Sequence, residues 1–168
     1  MRSAECGMEG IPQAGAMATL EADLLFQLDM RITGGEQVGV GPRGTRVIAY
    51  VKGTFAGPGL KGTVENGADW YLLRPDGLGE LDVRLTLKTD EGEFIYMYYT
   101  GVADIPKDVL ANTPAGQLPR GKLDSLRTAV RFETAAKKHE RLNRVQAVGV
   151  GQADTGAGTV SYGVYALR

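Results

Sequence analysis

From Leu20 onward, apolar side chains occupy every second position: Leu20, Ala22, Leu24, Phe26, Leu28, Met30 and Ile32, with Glu21, Asp23, Gln27, Asp29 and Arg31 between them. Alternation with a period of two, sustained over a dozen residues, scatters around a helix but gives a strand one dry face and one wet face. The pattern recurs. In "TRVIAYVKGTF" (45–55), Val47, Ala49, Val51 and Phe55 oppose Arg46, Ile48, Tyr50 and Lys52. In "GELDVRLTLKT" (79–89), Leu81, Val83, Leu85 and Leu87 oppose Asp82, Arg84, Thr86 and Lys88. "GEFIYMYYTGV", "SLRTAVRFET", "RVQAVGVGQ" and "TVSYGVYAL" complete a series rich in β-branched and aromatic residues.

Between these runs stand "GPGLKG", "RPDGLG" and "TDEGE", which supply the glycine, proline and aspartate that tight turns need. Strands joined so closely are antiparallel. The series is broken by "IPKDVLANTPAGQLPRGKLD", which carries three prolines; a short helical turn is expected at 106–112, followed by an irregular crossover. A second helical turn is expected in "TAAKKHERLNR". A long first strand, eight or nine strands in all and short connections favour a closed antiparallel β-barrel with one or two short helical turns, because closure removes unpaired edges. The 24 glycines fit strongly coiled strands.

A chain of 168 residues matches one domain, expected at 18–168. Residues 1–17 show no periodicity and run up to a second methionine, Met17, so they read as a flexible leader. A formal charge of −1 gives no overall attraction to nucleic acid or to an acidic membrane. The local excess in 104–144, nine Lys/Arg against five Asp/Glu, comes with Phe132 as its sole aromatic, so a solvated surface is expected there and no nucleic-acid partner. Cys6 stands alone, which excludes an internal disulfide and a cysteine-rich zinc site and fits a cytoplasmic setting. No apolar run approaches the ~20 residues of a membrane helix.

Two glycine motifs invite a nucleotide reading. "GVGPRG" (39–44) matches G-x-G-x-x-G through Gly39, Gly41 and Gly44, but it precedes a strand pattern instead of opening a helix, and Pro42 lies inside it. Without a helix N-terminus to hold a pyrophosphate, it reads as a turn. "GQLPRGKL" (116–123) has Leu123 where a phosphate loop needs a hydroxyl, and Pro119 removes an amide donor. His139 is the one histidine, flanked by Lys138, Glu140 and Arg141, and reads as a surface residue. Neither a metal nor a cofactor is expected.

The remaining candidates are acids, arginines and aromatics on strands. Asp82 and Arg84 lie two apart and share a strand face, so a guanidinium can hold the acid ionised. On an ordinary sheet that face is wet. "NGADWYLLRPDG" adds Asp69, Trp70, Arg74 and Asp76; Asp76 before Gly77 reads as a turn residue, and Trp70 as core or as a ligand contact. Tyr96 and Tyr98 share a face that either lines a cavity or covers the outside, and parity alone does not decide.

The ordered series Gly44, Arg46, Gly53, Phe55, Gly57, Leu60, Gly62, Gly67, Asp69, Trp70, Arg74, Asp76, Gly77, Asp82, Arg84, Asp90 and Gly92 resembles the bacterial and fungal family called domain of unknown function 3237, also UPF0311, over about Leu20 to Leu167. One departure is Glu91 in "TDEGEF", where a smaller polar residue is expected. The resemblance implies a lipocalin-like (calycin-like) barrel, often a homodimer, with no assigned reaction. It also favours a pocket position for Asp82 and Arg84 over a wet face.

Two functions of different class follow. In the first, the barrel is a cofactor-independent enzyme doing acid/base chemistry of hydratase, lyase or isomerase type on a small, partly apolar carbonyl or phenolic molecule. Asp82 or Asp69 would move the proton, and Arg84, with Arg46, would hold the developing anion. Trp70 and Tyr98 would stack on the substrate, with Arg74 a further contact. In the second, the barrel carries a small hydrophobic ligand unchanged, and Arg84 orients it.

Overall fold

A computed structural model describes residues 19–168. The leader expected at 1–17 lies outside the described residues. Eight antiparallel strands close on themselves in sequence order: β1 (Ala22–Gly41), β2 (Gly44–Gly57), β3 (Leu60–Leu73), β4 (Leu78–Thr89), β5 (Phe94–Asp104), β6 (Lys122–Glu133), β7 (Ala147–Asp154) and β8 (Thr159–Leu167). The expected closed barrel is therefore the fold. Helix α1 (Lys107–Ala111) and a 3-10 helix (Lys137–Arg144) occupy the two places where the sequence predicts helical turns.

Closure depends on β1, whose 20 residues serve two neighbours. Its first half pairs with β8 from Ala22 to Arg31, and its second half continues along β2 to Gly41. Register shifts at Leu24/Phe26 and Ile32/Gly34 let so long a strand curl with the barrel. The G-x-G-x-x-G motif is the turn at Pro42–Arg43 that sends β1 into β2. Gly44 leaves that turn at φ +136, and a Cβ there would lie 2.1 Å from the Leu73 carbonyl oxygen. Close backbone approach, rather than phosphate binding, accounts for this glycine.

The two ends of the barrel differ. At one end Phe26 packs on Phe55 and Phe132 with ring centroids 5.3 and 6.0 Å away, among Leu87, Ile95 and Val164. The 3-10 helix closes this end with buried Leu142. His139 belongs to the same closure: it is 9% exposed, with Nε2 3.3 Å from Glu93 Oε2, which corrects the surface reading. Its charged sequence neighbours do face solvent, but a 3-10 helix turns by about 120° per residue, and one residue flanked by charges can still point inward. At the other end, the crossover between β5 and β6 lies over the mouth, beside the turns joining β1 to β2, β3 to β4 and β7 to β8. Among the described residues, no helix is long and apolar enough to cross a membrane.

Candidate functional site

Beneath that crossover the lumen remains open. A cavity of about 90 Å³ is lined by Met30, Val51, Leu81, Val83 and other apolar side chains. That is smaller than the ~150 Å³ in which a single benzene ring fits, so a one-ring molecule requires the lining side chains to move apart. Four side chains bring chemistry into it: Asp69 and Tyr71 from β3, Tyr99 from β5 and Tyr162 from β8.

Strand parity places them. A register shift between Val64 and Asn66 resets the inward set of β3. Beyond it Asp69 and Tyr71, two apart, point into the lumen, while Trp70 points out. Asp69 lies opposite Ala49 and Val83, whose short or apolar side chains cannot hydrogen-bond it. Its Oδ1 instead accepts a 3.1 Å hydrogen bond from the backbone N–H of Asp82. Removal from water raises the Asp69 pKa from 3.8 to about 7. The Asp82 amide and the more distant Arg46 charge lower it, and the Asp82 carboxylate adds to the rise. Near neutral pH this carboxyl therefore passes between its acidic and basic forms.

Burial holds the three phenols in their neutral, proton-donating form, and the Asp69 charge reinforces the shift at each of them. Tyr99 and Tyr162 meet edge to face, with ring centroids 5.6 Å apart. An ionisable acid among neutral O–H donors in an apolar chamber is suited to moving a proton while negative charge collects on a neighbouring oxygen.

The crossover forms the roof. Leu118 and Pro119 line the cavity from above, and Thr155, in the β7–β8 turn, fastens them. The Thr155 hydroxyl donates to the Pro119 carbonyl at 2.7 Å and accepts from the Gly121 N–H at 2.9 Å. The Thr155 N–H donates to the Gly121 carbonyl at 3.0 Å. Valine at 155 keeps the shape and loses both hydroxyl bonds. Thr155→Val is expected to lower stability by about 1–2 kcal/mol and to speed hydrogen exchange of the Gly121 amide, read by mass spectrometry.

The other residues singled out by the sequence lie outside the lumen. Asp82 and Arg84 do share a face, with Oδ1 and Nη1 2.9 Å apart, but it is the outer one, and their side chains are 46% and 47% exposed. The expectation that they project into a sheltered hollow is corrected. On β4 the inward positions are held by Leu81, Val83, Leu85 and Leu87, and the parity of a strand sends the intervening pair to solvent. Trp70 is on the same outer surface, with the Arg84 guanidinium 4.9 Å above its ring. Tyr98 is opposite Arg84 on β5 and stacks on Tyr96 with centroids 5.3 Å apart. Arg46 donates to the Trp70 carbonyl. Arg74 pairs with Asp76 in the β3–β4 turn and approaches Glu80 at 3.7 Å. None of Trp70, Tyr98, Arg46 and Arg74 lines the cavity, so the stacking and anion-holding positions assigned to them are not met. A half-exposed ion pair contributes ~0–1 kcal/mol. Asp82→Asn is accordingly expected to change stability by less than about 0.5 kcal/mol and any turnover by less than about threefold, checked by melting and by deuterium exchange into a substrate.

Tyr71, Tyr99, Tyr162 and Thr155 are not among the residues that the sequence singles out. A signal for Tyr99 is present: Ile95, Met97 and Tyr99 form the more apolar alternate set of β5, and their parity is the inward one. Among the described residues, no group of three or more His, Cys, Asp or Glu is arranged to hold a metal ion.

A closed eight-stranded barrel with a walled internal cavity places the chain among lipocalin-like β-barrel proteins. The family of proteins of unknown function DUF3237 matches residues 19–167, and the chain belongs to that family. A UPF0311 protein of Rhodopseudomonas palustris is 33% identical over 128 residues, covering 74% of this chain and 82% of the relative. The crystal structure of a conserved protein of unknown function from Rhodopseudomonas palustris superposes with a TM-score of 0.77 at 28% identity, covering 90% of this chain and 100% of that one. A crystal structure described as an enzyme from Penicillium herquei shares the fold, with a TM-score of 0.66, 21% identity and coverage of 92% and 99%.

Proposed function

We propose that the barrel is an acid/base enzyme in which Asp69 transfers a proton to and from a small, largely apolar carbonyl or phenolic substrate. The observation that carries this reading is a single carboxyl, held near neutrality by burial, in a chamber whose remaining polar groups are chiefly neutral phenols. As carboxylate, Asp69 takes the proton from the carbon next to a carbonyl. The C–H electron pair forms the new C=C bond, and the carbonyl electrons move onto oxygen. A phenolic O–H steadies that oxygen, and protonated Asp69 returns the proton to the same or another atom. Hydration, elimination and isomerisation share this step.

The anion-stabilising role expected of Arg84 and Arg46 passes in this reading to the phenols. The Asp82–Arg84 pair is assigned to the outer surface, where it covers Trp70. That a neighbour of the same fold is described as an enzyme is compatible with chemistry in such a barrel.

The test is solvent exchange. A panel of small aryl ketones and β-dicarbonyl compounds is incubated with the protein in D2O and analysed by mass spectrometry. Deuterium entering the α-carbon faster than in buffer is the expected result. Binding without exchange for every member would overturn the reading and leave carriage of an unchanged ligand.

A further inference from the structure

One buried polar atom in the wall of the cavity has no partner. The Tyr71 hydroxyl is enclosed by protein and hydrogen-bonds to nothing, although Tyr71 is only 8% exposed and lines the chamber. A buried hydroxyl without a partner is destabilising, and a fold concerned only with packing would place phenylalanine there. The backbone also makes room for this oxygen. Gly79, across the β3–β4 pair, is buried, and a Cβ at that position would lie 2.3 Å from Tyr71 Oη. Any larger residue at 79 would displace the phenol. An unpaired O–H donor thus lies over Gly79, in a space that a larger residue would close, on the same strand face as Asp69 and two residues away.

We propose that Tyr71 anchors the substrate by donating its hydroxyl proton to a carbonyl or phenolate oxygen of the ligand, with Asp69 one strand repeat away at the proton to be moved. Tyr71 on this account determines specificity: it selects ligands that carry an oxygen acceptor near the reacting carbon over apolar molecules of the same shape. The substrate class narrows to compact molecules of at most one ring with a conjugated or enolisable oxygen. This rests on the cavity of the proposed function but not on its reaction.

The experiment uses two probes of nearly equal shape, acetophenone and α-methylstyrene, the second having a methylene group in place of the carbonyl oxygen. Calorimetric or ligand-observed NMR titration of the full chain gives the ratio of their dissociation constants. In Tyr71→Phe that ratio is expected to shift roughly five- to tenfold against acetophenone, the magnitude of one hydrogen bond. The variant should melt at or above the wild-type temperature, because the orphan hydroxyl is gone and the ring remains. Gly79→Ala, which keeps the hydroxyl but crowds it, is expected to shift the ratio in the same direction. An unchanged ratio in Tyr71→Phe, even with both affinities lowered, overturns the anchor and leaves Tyr71 a packing residue with a trapped water. Failure of the wild type to bind acetophenone overturns it equally. A shifted ratio without deuterium exchange retains the anchor and removes the acid/base reading. Exchange with an unshifted ratio does the opposite.

Discussion

Asp69→Asn is expected to lower the rate of deuterium exchange into any ketone that the wild type processes by ~10²–10⁴-fold, the contribution typical of a positioned general acid or base. Asparagine is nearly isosteric, and its carbonyl oxygen can still accept the Asp82 N–H, so the cavity keeps its shape while the proton-transfer group is lost. A binding constant for acetophenone that stays within about threefold of wild type would show that the loss is chemical. The pH dependence adds a second mark. With a pKa of about 7, the wild-type rate of proton abstraction should climb as pH rises through neutrality and level off above it, because only the carboxylate is a base. The residual rate of Asp69→Asn should lack that limb. Wild-type exchange with a limb near pH ~4, the range of an ordinary carboxyl, would place the base elsewhere.

The architecture is largely legible in the sequence because its signal is redundant. Seven stretches alternate with the same period, and misreading any one of them would still leave a closed antiparallel barrel. The exception is β3. Its alternation is interrupted by the register shift at Val64/Asn66, and beyond that shift Tyr71, Leu72 and Leu73 are all buried, so no two-fold pattern survives to be read. That strand carries Asp69 and Tyr71. Asp69 is named from the sequence by its residue type, but its inward direction, and Tyr71 altogether, are hidden where the regular pattern fails, since a shift of one residue exchanges the inward and outward sets.

The misplacement of Asp82 and Arg84 has a different cause. Alternation on β4 separates Leu81, Val83, Leu85 and Leu87 from Asp82 and Arg84, and the hydrophobic set faces the lumen. The family resemblance is what favours a pocket for the charged pair. Membership in the family is correct, but a recurring acid–arginine pair also fits an outer surface, where Arg84 lies over the Trp70 ring. A resemblance identifies positions of interest; it does not orient them, whereas strand parity does. Asp82 still serves the cavity through its backbone, since its amide holds the Asp69 carboxyl while its own carboxylate points away. A main-chain contribution of this kind leaves no mark in the identity of the residue.

The same substitution that removes proton transfer should make the protein more stable, increasingly so as pH rises. Asp69 has a folded-state pKa of about 7 against an ordinary value of 3.8. Between those values the folded protein holds a proton that the unfolded chain has released, so stability falls as pH rises from about 4 and stops falling above about 7. A difference of that size corresponds to at most about 4 kcal/mol at pH ~8, with water entering the cavity reducing it. Asparagine never ionises. Asp69→Asn should therefore melt close to the wild type at pH ~4, and the gap should widen with pH to several degrees at pH ~8. The outward Asp82→Asn should produce no such divergence, because its carboxylate is already half in water and ion-paired with Arg84. Parallel wild-type and Asp69→Asn melting curves from about pH 4 to about pH 8 would mean that the carboxyl ionises without penalty. The desolvated acid on which proton transfer depends would then be absent.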